Sequence, residues 1–214
     1  CNDYYCNDYK GYQIMKWKRF IVWDQVQEDF LKEYCPNSKY IKVGYVDITG
    51  LSKNYHSVNG KKILSIFDVT PIRPITLSKF GIAIPQYYSE ELNIKFIQDI
   101  KKLFCGGKWI ILWKPKRIVG TEFISDAFKR KQSKLINGNL IKVDPNIAAS
   151  SLVENSDAVI SMPFSSPAVI AKFKDVPCIF YDAFGSVRNQ RSRGIPLLRS
   201  KVELKEWSLS LTKE

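Results

Sequence analysis

Short apolar segments alternate with amphipathic segments along most of this chain, and their order predicts a regular α/β architecture. The predicted strands are Arg19 to Trp23, Tyr40 to Val46, Ile63 to Phe67, Lys108 to Trp113, Leu140 to Val143, Ala158 to Ser161 and Cys178 to Tyr181. The predicted helices are Asp24 to Cys35, Ser89 to Phe104, Glu122 to Lys131, Ile147 to Asn155 and Pro167 to Phe173. Strands that are apolar throughout and separated by helices indicate a doubly wound parallel sheet, covered on both faces.

A polar stretch from Thr49 to Lys62, rich in Gly and Asn, reads as a linker or a domain boundary. We therefore assign residues 1–55 to the end of one α/β domain and residues 56–214 to a second. The chain begins at Cys1 and not at Met. Its 214 residues fit a domain and a half, and we expect a piece of a longer protein.

The positive charge of this chain is concentrated in one stretch. The chain has 33 basic and 21 acidic side chains, a net charge of +12, and residues 101–142 hold 11 of the basic and 2 of the acidic ones. A local field of one sign attracts an anion, such as a nucleotide, a phosphorylated lipid carrier, an acidic glycan, a membrane surface or a nucleic acid. The alternative for Lys129-Arg130-Lys131 is a solvated helix face without a partner.

Several function classes lose support from the sequence. No apolar run approaches the ~18 residues of a membrane span, and no secretory signal is present. Five scattered cysteines without a C-x-x-C pair, and a single histidine, favour neither a zinc site nor a disulfide framework, and they fit a reducing cytosol. The chain also lacks G-x-G-x-x-G, Walker A, G-x-S-x-G and H-E-x-x-H motifs.

Ligands of open parallel sheets bind beyond the carboxyl ends of the strands. Ser165 and Ser166 stand before Pro167 at a helix start, where hydroxyl and N–H groups suit a phosphate; an ordinary helix cap is the alternative. After another strand, the turn Lys114-Pro115-Lys116-Arg117 offers three cations to a diphosphate or a sugar carboxylate; its alternative is a surface turn.

Two carboxylates also follow strands. Asp68 and Asp182 occupy positions from which a general base, a nucleophile or a ribose-binding group acts. Single aspartates at strand ends are also common turn formers. Both interpretations remain open from the sequence.

Four strings resemble a known family when taken in order. They are KKILSIFDVTPIRP, WIILWKPKR, NSDAVISMPFSSPAVIAKFKDVPCIFYDAFG and GIPLLRSKVELKEW. Together they resemble the C-terminal half of bacterial surface carbohydrate (polysaccharide) biosynthesis proteins, glycosyltransferases of the two-Rossmann GT-B type. The resemblance covers about residues 40–208, and its most specific part is Ser156 to Asp182. It implies a Rossmann-like C-terminal GT-B lobe that holds the donor nucleotide, preceded by an acceptor-side domain.

In GT-B transferases that use CMP-activated acidic sugars, a Lys-x-His-Pro-like turn and a later Ser/Thr pair hold the CMP. In this chain Lys114 to Arg117 corresponds to the Lys-x-His-Pro-like turn but lacks the histidine. Ser165-Ser166 corresponds to the Ser/Thr pair. By this resemblance the donor-binding residues are Lys114, Lys116, Arg117, Ser165 and Ser166, and the strand-end positions add Asp68 and Asp182. The catalytic residue is unassigned and is expected in the N-terminal half, so this chain should bind the donor without turnover.

The resemblance implies a glycosyltransferase of capsule or O-antigen assembly. The donor would be a CMP-activated acidic sugar, or a neutral sugar on UDP or GDP, and the acceptor a glycan or a lipid-linked glycan. It also implies chemistry without metal or cofactor, in agreement with the missing D-x-D motif. The protein would be cytoplasmic, at the inner membrane face, with no nucleic-acid partner.

Two other functions compete with this one. Residues 101–142 fit a basic module for nucleic acid or a membrane surface, and the sheet also fits a sugar-nucleotide epimerase. The aromatic residues of the basic stretch fall at core spacing and not as an exposed stacking row, which disfavours nucleic acid.

Overall fold

A computed structural model describes residues 15–46, 55, 60–73, 75, 89–116, 124–187 and 192–211. Arg117 and most of the Thr49 to Lys62 stretch lie outside these ranges. The domain division at residue 55 therefore stays a prediction.

The described residues form alternating strands and helices. The strands are β1 (Arg19–Val22), β2 (Lys39–Lys42), β3 (Lys62–Phe67), β4 (Trp109–Lys114), β5 (Leu140–Lys142), β6 (Ala158–Ser161), β7 (Cys178–Tyr181) and β8 (Leu197–Leu198). The helices are α1 (Gln25–Tyr34), α2 (Glu90–Leu103), α3 (Asp126–Leu135), α4 (Ala149–Glu154), α5 (Ser166–Phe173) and α6 (Lys201–Ser210).

Six of these strands form one parallel sheet in the order β5-β4-β3-β6-β7-β8. Its middle strands are buried over almost their whole length, because helices cover both faces. Successive side chains alternate between two cores: Ile66 packs on the side of α2, and Phe67 packs on the side of α4 and α5. The predicted doubly wound, Rossmann-like α/β class is confirmed.

The segment before the large sheet is a small β-α-β unit. β1 and β2 pair in parallel, with Arg19 opposite Lys39, and α1 covers Phe20 and Val22. An ion pair of 2.6 Å between Asp24 Oδ2 and Arg193 Nε connects this unit to the large domain.

The last helix, α6, was not predicted, and a single buried carboxylate holds it in place. Asp99 Oδ1 lies 2.7 Å from Lys201 Nζ, and Asp99 Oδ2 accepts hydrogen bonds from Lys95 Nζ and the Tyr181 hydroxyl. The fully buried side chain of Leu204 adds an apolar contact. Asp99 thus joins α2, β7 and α6.

The third helix begins four residues after its predicted start. The Ser125 hydroxyl caps α3 by accepting from Phe128 N at 3.0 Å. The Glu90 carboxylate accepts from both N–H and O–H of Ser125, which fixes the cap against the start of α2. The predicted span Glu122 to Lys131 is therefore wrong in its boundaries, since the cap lies at Ser125.

None of the helices in the described ranges is long and apolar enough to cross a membrane. Cys35, Cys105 and Cys178 are free thiols.

Candidate functional site

The two strands at the middle of the large sheet, β3 and β6, mark the place where the strand order reverses. Phe67 and Ser161, the last residues of these strands, are paired in register. β4 lies beside β3 on one side of this pair, and β7 lies beside β6 on the other side. A crevice forms at such a switch point, beyond the carboxyl ends of the strands.

A cleft of about 260 Å³ opens at this edge of the sheet, over the ends of β3, β4 and β5. Its walls combine apolar side chains with cations and a carboxylate. They comprise Asp68, Thr70, Pro71, Pro115, Lys116, Ile124, Phe128, Gln132, Lys142 and Pro145. This composition is typical of a small-molecule site, in which a few polar groups orient a ligand between apolar surfaces.

Asp68 is the buried carboxylate at the base of the cleft. Its Oδ2 accepts from Trp113 Nε1 at 2.9 Å and from Asn93 Nδ2 at 3.1 Å, and its Oδ1 accepts from Lys116 N at 2.9 Å. Burial raises the pKa of Asp68, and the hydrogen bonds from Asn93, Trp113 and Lys116 oppose this shift. The carboxylate thus fixes the turn after β4, including the backbone of Lys116.

Sequence reasoning missed a further cation of the cleft, Lys142. Its ammonium lies 5.1 Å from the centre of the Trp113 ring and donates to Gln132 Oε1 at 3.0 Å. Lys142 is the last residue of β5; the predicted strand extended to Val143, so the strand-end rule did not select it. Lys142 and Lys116 place two positive charges on the walls of one cleft.

Lys114 is buried, with 8% of its surface exposed. Its ammonium makes one long contact, 3.5 Å to the carbonyl of Pro115, and no carboxylate in the described ranges lies within ion-pair distance. Burial lowers the pKa of Lys114 below its ordinary value, although the charges of Asp68 and Asp144 oppose the shift. A buried ammonium without a counterion is costly, and an anionic ligand would supply the missing partner.

Two buried hydroxyls close to this edge have no hydrogen-bond partner among the described residues. They belong to Thr70, which lines the cleft, and to Ser161, at the end of β6. Ser161, Phe67 and Lys114 are neighbours across three strands and point to the same face of the sheet. Buried polar groups are normally satisfied, so the hydroxyls of Thr70, in the cleft wall, and of Ser161 are candidates for contact with a ligand.

The serine pair at the start of α5 divides into two different roles. Ser165 occupies the N-cap position, but its hydroxyl makes no capping bond. It is buried and donates to Met162 O at 2.8 Å. Ser166 is exposed. The first-turn N–H groups of α5 therefore lack a side-chain cap, which leaves the positive end of the helix open to an anion.

The turn that leads into α5 contains a residue in the left-handed region. Phe164 has φ 58° and is held by packing against Phe180, with ring centroids 5.6 Å apart. Positive φ is uncommon for a bulky residue and is found where the surroundings fix the backbone for function. Met162 in the same turn contacts the loop after β3, through a hydrogen bond from Val69 N to its sulfur at 3.4 Å.

Asp182 lies after β7, two strands away from β3. Its carboxylate accepts from Val187 N at 2.6 Å and from Phe184 N at 3.3 Å. These bonds shape the turn that follows, and a role of Asp182 in donor binding stays a prediction. The structure thus gathers Asp68, Lys116 and Lys114 at one edge, with the serine turn beside them. It places Asp182 further along that edge, and Arg117 lies outside the described residues.

The sequence profile of a family described as "Polysaccharide biosynthesis PFTS motif protein" matches residues 3–208. The chain belongs to this family. The resemblance to polysaccharide biosynthesis proteins is confirmed. This PFTS motif protein carries Pro163-Phe164-Ser165-Ser166, which differs from the four letters of the family name only by Ser for Thr at position 165. These residues form the turn with the left-handed Phe164 and the uncapped helix start.

Comparison with solved structures supports the fold of the chain. The structure described as the glycotransferase of kitacinnamycin superposes with a TM-score of 0.52 and 10% sequence identity, covering 92% of this chain. The chain spans 47% of the length of that glycotransferase. At this identity the likeness concerns the fold alone. No curated protein matches the chain.

Proposed function

We propose that this PFTS motif protein is a glycosyltransferase, and that its six-stranded domain binds a nucleotide-sugar donor at the carboxyl edge of the sheet. The observation that carries the proposal is the buried ammonium of Lys114, which has no ion-pair partner among the described residues. Lys114 directly precedes Pro115, which lines the cleft that contains Lys116 and Lys142. Membership of a polysaccharide biosynthesis family and the fold shared with a glycotransferase support the same activity.

The chemistry of sugar transfer gives these cations a role. When the glycosidic bond to the donor phosphate breaks, negative charge develops on the leaving nucleotide. Lysine ammonium groups and the start of α5 stabilise that charge in place before the reaction begins. Positive charge from the protein replaces that of a metal ion, so transfer in this proposal needs no metal.

The finer parts of the proposal follow the family resemblance. The donor is a CMP-activated acidic sugar, or a neutral sugar on UDP or GDP, and the product belongs to a capsule or O-antigen. The acceptor is a glycan or lipid-linked glycan at the cytoplasmic face of the inner membrane. A carboxylate on an acidic sugar is a suitable counterion for Lys114, which favours the CMP-activated class.

Thermal-shift titration with CMP, UDP and GDP tests the donor class. A ligand at about 100 times its Kd stabilises the folded state by about 2.7 kcal/mol, and for a chain of this size this raises Tm by roughly 5–10 °C. Two controls separate recognition of the phosphate charge from recognition of the base: inorganic phosphate tests the charge alone, and the free nucleosides test the base and ribose alone. If none of the three nucleotides raises Tm, the proposed function is wrong.

The two serines provide a matched pair of variants. Ser166→Ala is expected to weaken binding of the preferred nucleotide about tenfold, since a hydrogen bond to a charged group contributes about 1.5–3 kcal/mol. Ser165→Ala removes the bond to Met162 O and is expected to lower the free energy of unfolding by about 1 kcal/mol. Its effect on nucleotide affinity should be smaller than that of Ser166→Ala. Calorimetric titration and urea unfolding of both variants measure these values, and unchanged affinity in Ser166→Ala would refute the phosphate role of Ser166.

A further inference from the structure

Helix α3 has one face in the cleft and an opposite face covered with cations. Phe128 and Gln132 line the cleft, whereas Arg130, Lys131 and Lys134 are exposed. None of these three cations forms an ion pair within the described part of the chain. The outward face of α3 is therefore a strong, unneutralised positive surface.

An exposed aliphatic side chain adjoins these cations. Ile136, directly after α3, is 37% exposed. Lys101 Nζ donates to Leu135 O at 2.6 Å, which ties the end of α3 to the end of α2 and gives the surface a fixed backbone. We call Arg130, Lys131, Lys134 and Ile136 the basic surface.

We propose that the basic surface binds a lipid bilayer that contains anionic phospholipid. Clustered lysine and arginine side chains are attracted to anionic headgroups, and neighbouring aliphatic side chains enter the boundary between headgroups and acyl chains. Single-stranded nucleic acid would require exposed aromatic rings for stacking. The aromatic side chains near the surface are instead buried, namely Phe104, Trp109, Trp113 and Phe128.

The position of α3 gives this contact a consequence for the cleft. Because the same helix presents Phe128 and Gln132 to the cleft and its cations to the bilayer, a bound chain holds the cleft beside the membrane surface. The idea that a lipid-linked acceptor is delivered to that position rests on the proposed function. The binding of the bilayer by the basic surface is independent of the proposed function.

Vesicle sedimentation with the full chain tests the proposal. We expect binding to phosphatidylcholine vesicles that contain about one-third phosphatidylglycerol, release at high salt, and little binding to pure phosphatidylcholine. Equal binding to both kinds of vesicle, or no binding to the anionic ones at low salt, would overturn it. This measurement on the unaltered chain does not depend on how any variant folds.

The variant Arg130→Glu/Lys131→Glu/Lys134→Glu reverses the charge of the basic surface. It is expected to lower the vesicle partition coefficient at least about tenfold, because each cation near an anionic bilayer contributes to binding. Unchanged partition would locate the contact elsewhere and contradict the proposal. A short RNA or DNA that binds more tightly than vesicles, and loses affinity in the same variant, would assign the surface to nucleic acid and also overturn it.

The matched control is Lys18→Glu/Arg19→Glu/Lys39→Glu, which makes the same change in net charge on the exposed side chains of the β-α-β unit. We expect its vesicle binding to stay within about twofold of the parent chain. Equal losses in the two variants would show an effect of net charge alone and refute the basic surface. Nucleotide thermal shifts of both variants test the proposed function independently of vesicle binding.

Discussion

Replacing Lys114 with methionine is expected to stabilise the folded chain while removing its nucleotide binding. Lys114 is 8% exposed, and among the described residues its ammonium contacts the carbonyl of Pro115 at 3.5 Å. Methionine has a similar length and no charge to desolvate, so the free energy of unfolding should rise by about 1 kcal/mol or more. Loss of the contact with an anionic ligand should weaken binding by about 2 kcal/mol or more, a factor of about 30. Urea unfolding and calorimetric titration measure the two effects separately.

The pH dependence of this variant provides a second signature. Because burial lowers the pKa of Lys114 below its ordinary value of 10.5, the folded chain carries the penalty of the charged form at neutral pH. That penalty fades as the pH rises through the lowered pKa, when the folded chain releases the proton. The stability advantage of Lys114→Met should therefore shrink in alkaline solution. Nucleotide affinity of the parent chain should fall over the same range.

Lys116→Met is the matched control for Lys114→Met, since it makes the same chemical change on an exposed side chain of the same turn. It should weaken nucleotide binding without the gain in stability. A loss of stability in Lys114→Met with unchanged nucleotide affinity would show that Lys114 is a structural residue.

Replacing Asp68 with alanine is expected to cause the largest loss of stability among the strand-end residues. Three donors would lose their acceptor: the indole of Trp113, the amide of Asn93 and the backbone N–H of Lys116. Unsatisfied buried donors cost about 1–3 kcal/mol each in the worst case, and we expect a total of about 3 kcal/mol. The turn after β4 would also lose its anchor, so nucleotide affinity should fall. Asp68→Asn keeps one acceptor oxygen and should have a smaller effect on both measurements.

Asp182→Ala is the control for Asp68→Ala, because Asp182 is also a buried strand-end carboxylate that accepts backbone N–H groups. It should lower the free energy of unfolding, and its effect on nucleotide affinity tests the predicted role of Asp182 in donor binding. A loss of affinity in Asp182→Ala that matches the loss in Asp68→Ala would place Asp182 in the donor site as well.

The strands of the large sheet could be predicted closely from the sequence, because buried parallel strands are short and apolar throughout. β6 and β7 have their predicted bounds, and β4 is displaced by one residue. β8 and α6 were missed for physical reasons. β8 has two residues, too few to show a period, and Leu204 is the buried residue of α6. The capping box formed by Ser200 and Glu203 was the available signal.

The position of the candidate site could be predicted from the sequence. Which of its residues are buried, exposed or hydrogen-bonded could not. The strand-end rule selects Asp68, Lys114 and Ser166 without knowledge of neighbours. That Ser165 is buried and donates to Met162, whereas Ser166 is exposed, depends on the left-handed backbone of Phe164. Neither the isolation of the Lys114 ammonium nor the stacking of Lys142 on Trp113 follows from residue types, since both depend on tertiary packing.

The contact of Asp99 with Lys201 has a consequence for folding during translation. Asp99 on α2 is synthesised about a hundred residues before Lys201 on α6, its ion-pair partner. Until α6 leaves the ribosome, this side of the sheet lacks Leu204 and the ammonium of Lys201. A nascent chain thus exposes an apolar surface on this side of the sheet until α6 has been synthesised and can pack.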